Sequence, residues 1–279
     1  FGLKGLRKML RVKGRPFFFG VVKPNIGLPP KPFAELAYRA WKGGLDVCKD
    51  DEMLADVEYS PLKKRLEFAL EKMFRAEQET GEKKMFVANI TDEVDRVMEL
   101  HDLVHEMGGN AVMVNAFPVG LSAVRMLAKN AKIPIVSHFD FIAPFTRMPY
   151  FGVKSELITR LQRLAGCDAI IMPGLGKRML VGEKEVKENV RACLYDMKNI
   201  QACLPIPGGS DWAGSLPKMR EAFNTVDFGL VSGRGVFGHP MGPEGGAKSL
   251  REAWEAQEKG NTLEDYAETN ETLRKAIQC

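Results

Sequence analysis

The chain has 279 residues, of which 40 are lysine or arginine and 36 are aspartate or glutamate, so its net charge is +4. Hydrophobic residues make up 45% and charged residues 27%, a balance typical of a soluble globular protein and too apolar for a disordered one. The basic residues are interspersed with acidic ones, which argues against a nucleic-acid-binding protein or a polybasic membrane tail. No apolar run approaches the roughly 20 residues that a membrane-spanning helix needs.

The cysteines indicate the compartment in which the protein works. There are five, an odd number, and none belongs to a C-x-x-C pair, so neither a disulfide framework nor a zinc ribbon is predicted. The expected compartment is therefore the reducing cytoplasm, and no secretory signal is visible. The first residue is Phe1 rather than methionine, so we expect the natural N-terminus to lie upstream.

Strand-like and helix-like segments alternate along the whole chain. The predicted strands are short, apolar and rich in β-branched or aromatic residues, and they cover residues 17–23, 45–49, 85–90, 111–115, 133–138, 169–172, 203–207 and 228–232. The predicted helices carry apolar residues three or four positions apart, and they cover residues 33–41, 61–80, 93–107, 122–129, 155–164, 184–194, 216–223, 247–259 and 263–277.

This alternation predicts an α/β fold with parallel strands. Eight strand-helix units in roughly 240 residues match the size of a (β/α)8 TIM barrel, with the last helix as a C-terminal extension. A doubly wound open sheet is the alternative. Such a sheet often carries a G-x-G-x-x-G turn after its first strand, whereas this chain has K-P-N-I-G at residues 23–27, which favours the closed barrel.

In a TIM barrel the functional residues follow the strands, so the strand ends hold the candidate site. Lys23 ends the first strand, where it is either a base or a lysine that reaches solvent. The second strand runs into Lys49, Asp50, Asp51 and Glu52, the densest charge cluster at any strand end. Three neighbouring carboxylates repel one another unless a hard cation such as Mg²⁺ neutralises them, and a solvated charge run is the alternative.

Polar side chains also end the third, fourth and fifth strands. Asn89 and Asn115 are each a candidate hydrogen-bond partner of a polar substrate or the cap of a turn. His138 is one of only four histidines and is a candidate ligand, acid-base group or hydrogen-bond donor, with a structural histidine as the alternative. His101 and His105 lie four residues apart on a helix, but no third ligand is evident, so surface positions are predicted.

Glycine-rich segments follow the last three strands. They read P-G-L-G-K at residues 173–177, P-G-G-S at 207–210 and S-G-R-G at 232–235. Turns of this kind after strands 7 and 8 commonly bind a phosphate through their backbone N–H groups. Together with a cation site and a lysine base, they indicate an enzyme that enolises a phosphorylated carbonyl compound.

Three of these motifs resemble the ribulose bisphosphate carboxylase (RuBisCO) large-chain family. G-G-L-D-V-C-K-D-D-E at residues 43–52 resembles its metal-site motif, K-P-N-I-G-L at 23–28 its K-P-K-x-G-L, and G-V-F-G-H-P at 235–240 its strand-8 phosphate turn. The resemblance implies the (β/α)8 C-terminal domain of that family in a homodimer or larger homo-oligomer, without the family's N-terminal α+β domain. It also implies Mg²⁺ held by a CO₂-carbamylated Lys49 with Asp51 and Glu52, and Lys23 as the enolising lysine.

The departures from the family pattern are as informative as the matches. Asn25 replaces the second lysine of K-P-K, Phe139 replaces a phosphate-binding arginine, and no histidine follows strand 6. Arg234 interrupts the strand-8 turn, and Lys177 is a candidate for the mobile-loop lysine. One phosphate site is therefore expected to persist and the second to be lost, as in the non-carboxylating RuBisCO-like proteins, form IV, and especially those of phototrophic sulfur bacteria.

The resulting hypothesis is a Mg²⁺-dependent enolase or isomerase of a keto-sugar phosphate, such as a methylthio-sugar phosphate. Its catalytic residues are Lys23, Lys49 and His138. The predicted substrate and phosphate contacts are Asn25, Asn89, Lys177, Gly208, Gly209, Gly233, Arg234 and Gly235. The alternative is a non-catalytic RuBisCO-like protein with a binding or regulatory role in sulfur metabolism or stress, against which the intact K-D-D-E motif argues.

Overall fold

A computed structural model of the protein describes residues 1–278, with every side chain among them except that of Lys177. Eight parallel strands follow one another around a closed barrel in chain order, and β1 pairs with β8 to close it. The strands are β1 Phe17–Val21, β2 Val47–Lys49, β3 Met85–Asn89, β4 Ala111–Asn115, β5 Ile135–His138, β6 Ala169–Pro173, β7 Leu204–Gly208 and β8 Gly229–Ser232. The predicted (β/α)8 barrel is confirmed, and the open sheet is wrong.

Helices surround the barrel on the outside. They are α1 Gly2–Leu10, α2 Pro30–Lys42, α3 Leu62–Thr80, α4 Val94–Glu106, α5 Ala116–Val119, α6 Leu121–Asn130, α7 Ala143–Thr146, α8 Ser155–Ala165, α9 Glu183–Leu194, α10 Leu216–Phe223, α11 Arg234–Phe237, α12 Gly242–Glu258, α13 Leu263–Ala267 and α14 Glu271–Ile277. Short 3₁₀ turns at Lys177–Met179 and Ala213–Ser215 lie in the loops after β6 and β7. Among the described residues, no helix has both the length and the apolar character to cross a membrane.

The strands are buried on both faces, which explains their continuous apolar runs. Side chains of one parity, such as Phe17 and Phe19, fill the barrel interior, while Phe18 packs outward against the helices. In β2 the same alternation directs Val47 and Lys49 inward. The ammonium group of Lys49 therefore lies inside the barrel at the carboxyl end of the strand.

Helix α1 was not among the predicted helices. Its residues Leu3, Leu6 and Leu10 belong to the same apolar cluster as the interior side chains of the barrel, and the N–H of Leu3 donates to the carbonyl of Ala202 just before β7. The helix therefore covers the amino-terminal end of the barrel. The opposite end is left as the open mouth.

Two predictions about the helices need correction. The single helix predicted over residues 263–277 is split into α13 and α14, because Asn270 is extended and its side chain donates to the carbonyl of Tyr266. His101 is fully buried rather than on the surface, and its Nε2 accepts the backbone N–H of Lys132, in the loop between α6 and β5. His105 is exposed, as predicted.

Candidate active site

A cavity of about 430 Å³ opens at the carboxyl ends of the strands. The predicted site residues on its wall are Lys23, Asn25, Lys49, Glu52, His138, Gly208, Gly209, Gly233 and Arg234. Asp51, Asn89 and Gly235 are not on that wall, and the side chain of Lys177 lies outside the described residues. Larger cavities of about 690 and 590 Å³ lie against α1 and beside α8, away from these strand ends.

The end of β2 forms the charged centre of the cavity. The Nζ of Lys49 donates to the carbonyl of Asp50 at 2.8 Å and to Oε2 of Glu52 at 3.1 Å, and Lys49 is only 1% exposed. Burial alone would raise the pKa of Glu52, but the positive charges of Lys49 and then His138 lower it to about 2. Glu52 is therefore a carboxylate at neutral pH, ready to bind a cation.

Lys23 and Asp51 form a second ion pair beside the first. The Nζ of Lys23 lies 2.8 Å from Oδ2 of Asp51, which is buried, while Lys23 is half-buried on the cavity wall. The structure thus brings together two predicted site residues from the neighbouring strands β1 and β2. The Asp51 carboxylate orients the lysine amine at the edge of the cavity.

Asp50 does not face the mouth. Its two carboxylate oxygens accept from the guanidinium of Arg65 on α3 at 2.9 and 3.0 Å, and both side chains are fully buried. Arg65 also donates to the carbonyls of Leu54 and Ala55, and the N–H of Asn89 donates to Asp50. The cluster therefore has two carboxylates toward the mouth rather than three, and Arg65 holds the loop that carries them.

Asn89 lies behind this loop. Its amide Nδ2 donates to the carbonyls of Asp51 and Glu52 at 3.3 and 3.0 Å, and its Oδ1 accepts from the hydroxyl of Thr91 at 2.7 Å. Asn115 donates to the same carbonyl of Glu52 at 3.2 Å. Because Asn89 is fully buried, its side chain supports the backbone of the charged loop from behind. Its predicted contact with substrate receives no support from this position.

His138 brings a further acid to the site. Its Nε2 lies 3.5 Å from Oε2 of Glu52 and its Nδ1 lies 3.2 Å from Oδ1 of Asp140. Ligand atoms of these three residues lie within 4.8 Å of one another, close enough to hold one metal ion. The set differs from the predicted Lys49, Asp51 and Glu52, with Glu52 common to both. Sequence reasoning missed Asp140, although it lies two residues after His138 and so points to the same side.

Backbone contacts join the loops after β6, β7 and β8. The N–H of Gly174 donates to the carbonyl of Gly208 at 2.8 Å, and Gly208 pairs with Val231 of β8. A Cβ atom on Gly176 would lie 1.7 Å from the carbonyl oxygen of Gly209, so the two loops meet backbone to backbone. Glycine is required there because any side chain would collide with the neighbouring loop.

Comparison with known proteins identifies the family. The family model described as "Ribulose bisphosphate carboxylase large chain, catalytic domain" matches residues 2–279. This chain belongs to the RuBisCO large-chain family. It is 57% identical over 277 residues to a ribulose bisphosphate carboxylase-like protein of Allochromatium vinosum and 56% identical to one of Chlorobaculum tepidum. These alignments cover 99% of this chain but 61% and 64% of the relatives, so the chain spans less than two thirds of their length.

The structural comparison agrees. An octameric Rubisco of Pyrococcus horikoshii superposes with a TM-score of 0.95 and 31% identity, over 100% of this chain and 66% of that one. The two relatives above come from phototrophic sulfur bacteria, as the sequence motifs predicted. The chain is therefore a member of the RuBisCO-like branch of the family.

The wall of this RuBisCO-like barrel has an apolar side and a cationic rim. Phe139 lies where the family pattern predicts an arginine, and its ring stacks on His138 with the centroids 4.7 Å apart. Ile171 and Met179 also line the cavity. Arg178 and Arg234 are exposed at the rim, on the loops after β6 and β8. Arg178 was not predicted as a site residue, although it directly follows Lys177.

Proposed function

We propose that the protein is a non-carboxylating RuBisCO-like enzyme that uses Mg²⁺ to enolise or isomerise a keto-sugar monophosphate. The observation that carries this proposal is one cavity lined by two chemically distinct sets of residues. Lys49, Glu52 and His138 form the charged set, and the glycine turns after β7 and β8 form the other. A small phosphorylated ketone can contact both sets at once, and the similarity to ribulose bisphosphate carboxylase-like proteins supports a RuBisCO-like enzyme.

The side chains present fit a divalent cation. Glu52 is ionised, its carboxylate is within 4.8 Å of ligand atoms of His138 and Asp140, and Nδ1 of His138 has no hydrogen-bond partner of good geometry among the described residues. Lys49 as a CO₂ carbamate, Asp51 and Glu52 would hold Mg²⁺ as the resemblance implies. When bound, Mg²⁺ polarises a carbonyl group and stabilises the negative charge of an enediolate.

The protein's own groups then handle the proton and the substrate. The Nζ of Lys23, which Asp51 orients, would take the proton next to the carbonyl group in its neutral amine form, or a carbamate on Lys49 would take it. His138, also on the cavity wall, donates a hydrogen bond to a substrate oxygen or returns the proton. Backbone N–H groups of Gly208, Gly209 and Gly233 and the cation of Arg234, all on the cavity wall, are proposed to bind the phosphate. The predicted contact through Gly235, which is not on that wall, is not part of this proposal.

The apolar side of the cavity suits the other end of the substrate. Phe139, Ile171 and Met179 offer no charge to a second phosphate. They favour an uncharged group of modest size, and a methylthio group meets that description. We therefore propose a methylthio-sugar phosphate, or a related keto-sugar phosphate with one phosphate and one apolar end.

Solvent-deuterium exchange tests the proposed function. We would incubate the intact polypeptide with Mg²⁺, bicarbonate and a panel of keto-sugar phosphates in D₂O and follow the C–H signals by NMR. Exchange at the carbon next to the carbonyl of one compound, abolished by EDTA, is the expected result. Exchange that persists in EDTA, or no exchange on any compound by a protein that binds Mg²⁺, would contradict the proposed chemistry on this substrate class.

Carboxylation of ribulose bisphosphate is not expected. Phe139 cannot make the charged hydrogen bonds by which an arginine binds a second phosphate. We predict no incorporation of radiolabelled bicarbonate by the intact protein under conditions in which a carboxylating RuBisCO, assayed in parallel as the control, fixes it readily. Measurable carbon fixation above the no-enzyme blank would refute this prediction.

One observation favours a second candidate, a non-catalytic binding or regulatory role in sulfur metabolism or stress. Lys23 pairs with Asp51 and Lys49 pairs with Glu52, so both carboxylates that the loop after β2 directs to the mouth already face a cation. These two ion pairs are charge-balanced without a metal. Titration calorimetry distinguishes the candidates, because Mg²⁺ binding in the presence of bicarbonate supports the enzyme and its absence supports the binding role.

We infer that the intact protein is a homo-oligomer. The Rubisco of Pyrococcus horikoshii that superposes on the barrel is octameric, and a second neighbour, from Hyperthermus butylicus, is dimeric. Because the relatives are longer than this chain, the proposed activity refers to the intact polypeptide.

A further inference from the structure

Asp211 is a buried acid directly behind the turn after β7. Its side chain is 3% exposed, and its Oδ2 accepts the backbone N–H of Gly209 at 2.9 Å. The hydroxyl of Ser215 is its other hydrogen-bond donor. Both donors are neutral, and no charged side chain among the described residues acts on this carboxyl group. A buried carboxylate without a cation is unusual, and it calls for a reason.

Asp211 also contacts the turn after β8. The hydroxyl of Ser232 donates to the backbone carbonyl of Asp211 at 2.7 Å, and a Cβ atom on Gly235 would lie 2.7 Å from the same oxygen. The residue therefore lies between the two glycine turns that are proposed to bind the phosphate. The N–H of Gly209, which a phosphate oxygen would use, already donates to the Asp211 carboxylate.

The negative charge of the Asp211 carboxylate would oppose the binding of an anion at these turns. Burial raises the pKa of Asp211 to about 6, although the hydrogen bonds from Gly209 and Ser215 favour the carboxylate. The packed elements do not offset its charge: β7 and β8 contribute the backbone of Gly209 and the hydroxyl of Ser232, and Arg234 is exposed at the rim. A doubly charged anion at these turns would place like charges side by side in a poorly solvated setting.

We propose that Asp211 couples anion binding at the β7 and β8 turns to proton uptake, and so makes the site discriminate by charge. As a dianion binds, one proton moves from solvent to a carboxylate oxygen of Asp211. The neutral acid is a weaker acceptor than the carboxylate, so the N–H of Gly209 can turn to the anion, and the new O–H of Asp211 becomes a donor. The inference rests on the proposed phosphate site and adds the residue that decides which ionic form of the ligand binds best.

Sulfate is the probe that tests this coupling, because it stays doubly charged over the whole range and any proton taken up must go to the protein. Calorimetric titrations at constant ionic strength, in two buffers of different ionisation enthalpy, count the protons. We expect uptake to approach one proton per sulfate near pH ~8 and to vanish near pH ~5, with affinity falling about tenfold per pH unit in the alkaline range.

Two variants and a control isolate the residue. Asp211→Asn keeps an acceptor for Gly209 and removes the charge, so sulfate binding should show no proton uptake and be at least about tenfold tighter than wild type near pH 8. Ser215→Ala removes only a neutral donor to the carboxylate, so the midpoint of proton uptake should move to higher pH. Glu221→Gln, an exposed acid on α10, makes the same change of charge and should behave like wild type.

The outcomes separate this inference from the proposed function. Sulfate binding without proton uptake in the wild type, with Asp211→Asn unchanged in affinity, would overturn the coupling and leave the phosphate site standing. No sulfate binding by any of the proteins would overturn the phosphate site, and the coupling with it. Uptake that persists in Asp211→Asn would assign the proton to another group and also overturn the inference.

Discussion

Replacing Lys49 with alanine is expected to abolish Mg²⁺-dependent turnover and to weaken Mg²⁺ binding by about 100-fold or more. The Nζ of Lys49 lies 3.1 Å from Oε2 of Glu52, so a carbamate formed on it would add an anionic oxygen beside that carboxylate. An unmodified ammonium group at the same place repels the metal. Bicarbonate should therefore strengthen Mg²⁺ binding in the wild type and have no effect in Lys49→Ala.

Calorimetric Mg²⁺ titration and the deuterium-exchange assay measure this effect. The matched control is Lys84→Ala, which removes another lysine that is 1% exposed but whose Nζ donates to the carbonyl of Leu45 at the other end of β2. It should lose stability while keeping the metal response. If Mg²⁺ binding instead tightens in Lys49→Ala, Lys49 works as an ammonium and its assignment as a ligand is wrong. Unchanged turnover would refute the assignment as well.

Replacing Arg65 with alanine should lower the free energy of unfolding by about 3–5 kcal/mol, because it leaves the buried carboxylate of Asp50 without its cation. Burial already raises the pKa of Asp50 despite Arg65, and loss of the arginine raises it further. An acid whose pKa is higher in the folded state binds its proton more tightly there, so stability falls as pH rises through that range. The deficit of Arg65→Ala should therefore be larger at pH ~8 than at pH ~5.

Urea unfolding at the two pH values provides the measurement. Adding Asp50→Leu to an Arg65→Met variant should recover much of the lost stability, since a buried ion pair is replaced by apolar side chains. The control is Arg96→Ala, at an exposed ion pair with Glu99, which should change stability by about 0.5 kcal/mol or less. A loss below about 1 kcal/mol in Arg65→Ala would show that the ion pair between Arg65 and Asp50 contributes little to stability.

The barrel could be predicted from the sequence because each strand and each helix leaves its own pattern in a short stretch of residues. Each strand is buried on both faces and so reads as a continuous apolar run, and each run is followed by a helical pattern. The sequence analysis treated Asp50, Asp51 and Glu52 as three neighbouring carboxylates, although in an extended segment the period of two puts Asp50 on the side opposite Lys49 and Asp51. In the structure Asp50 faces Arg65 on α3, while Lys49 and Asp51 face Glu52 and Lys23.

The roles of the other polar residues depend on contacts between distant parts of the chain, which no local pattern carries. Asn89 lies at a strand end, where a substrate-binding residue is expected. Its amide instead donates hydrogen bonds to two backbone carbonyls of a loop some 40 positions earlier, about the span of one barrel unit. Arg178 reaches the cavity because of the geometry of the loop after β6. Asp211 is buried only because the turns after β7 and β8 close around it.

The contact between Gly176 and Gly209 has a consequence for how such a barrel acquires new substrates. A Cβ atom on Gly176 would collide with the backbone of Gly209, and one on Gly209 would lie 2.4 Å from Cγ of Met179, so a larger side chain at either position disturbs this contact. Residues further along the same loop, including Arg178 and Met179, reach the cavity from a backbone that Gly174 and Gly176 anchor to the end of β7. Selection can therefore exchange side chains at these positions, and with them the ligand, while the anchoring glycines and the anion-binding turn stay as they are.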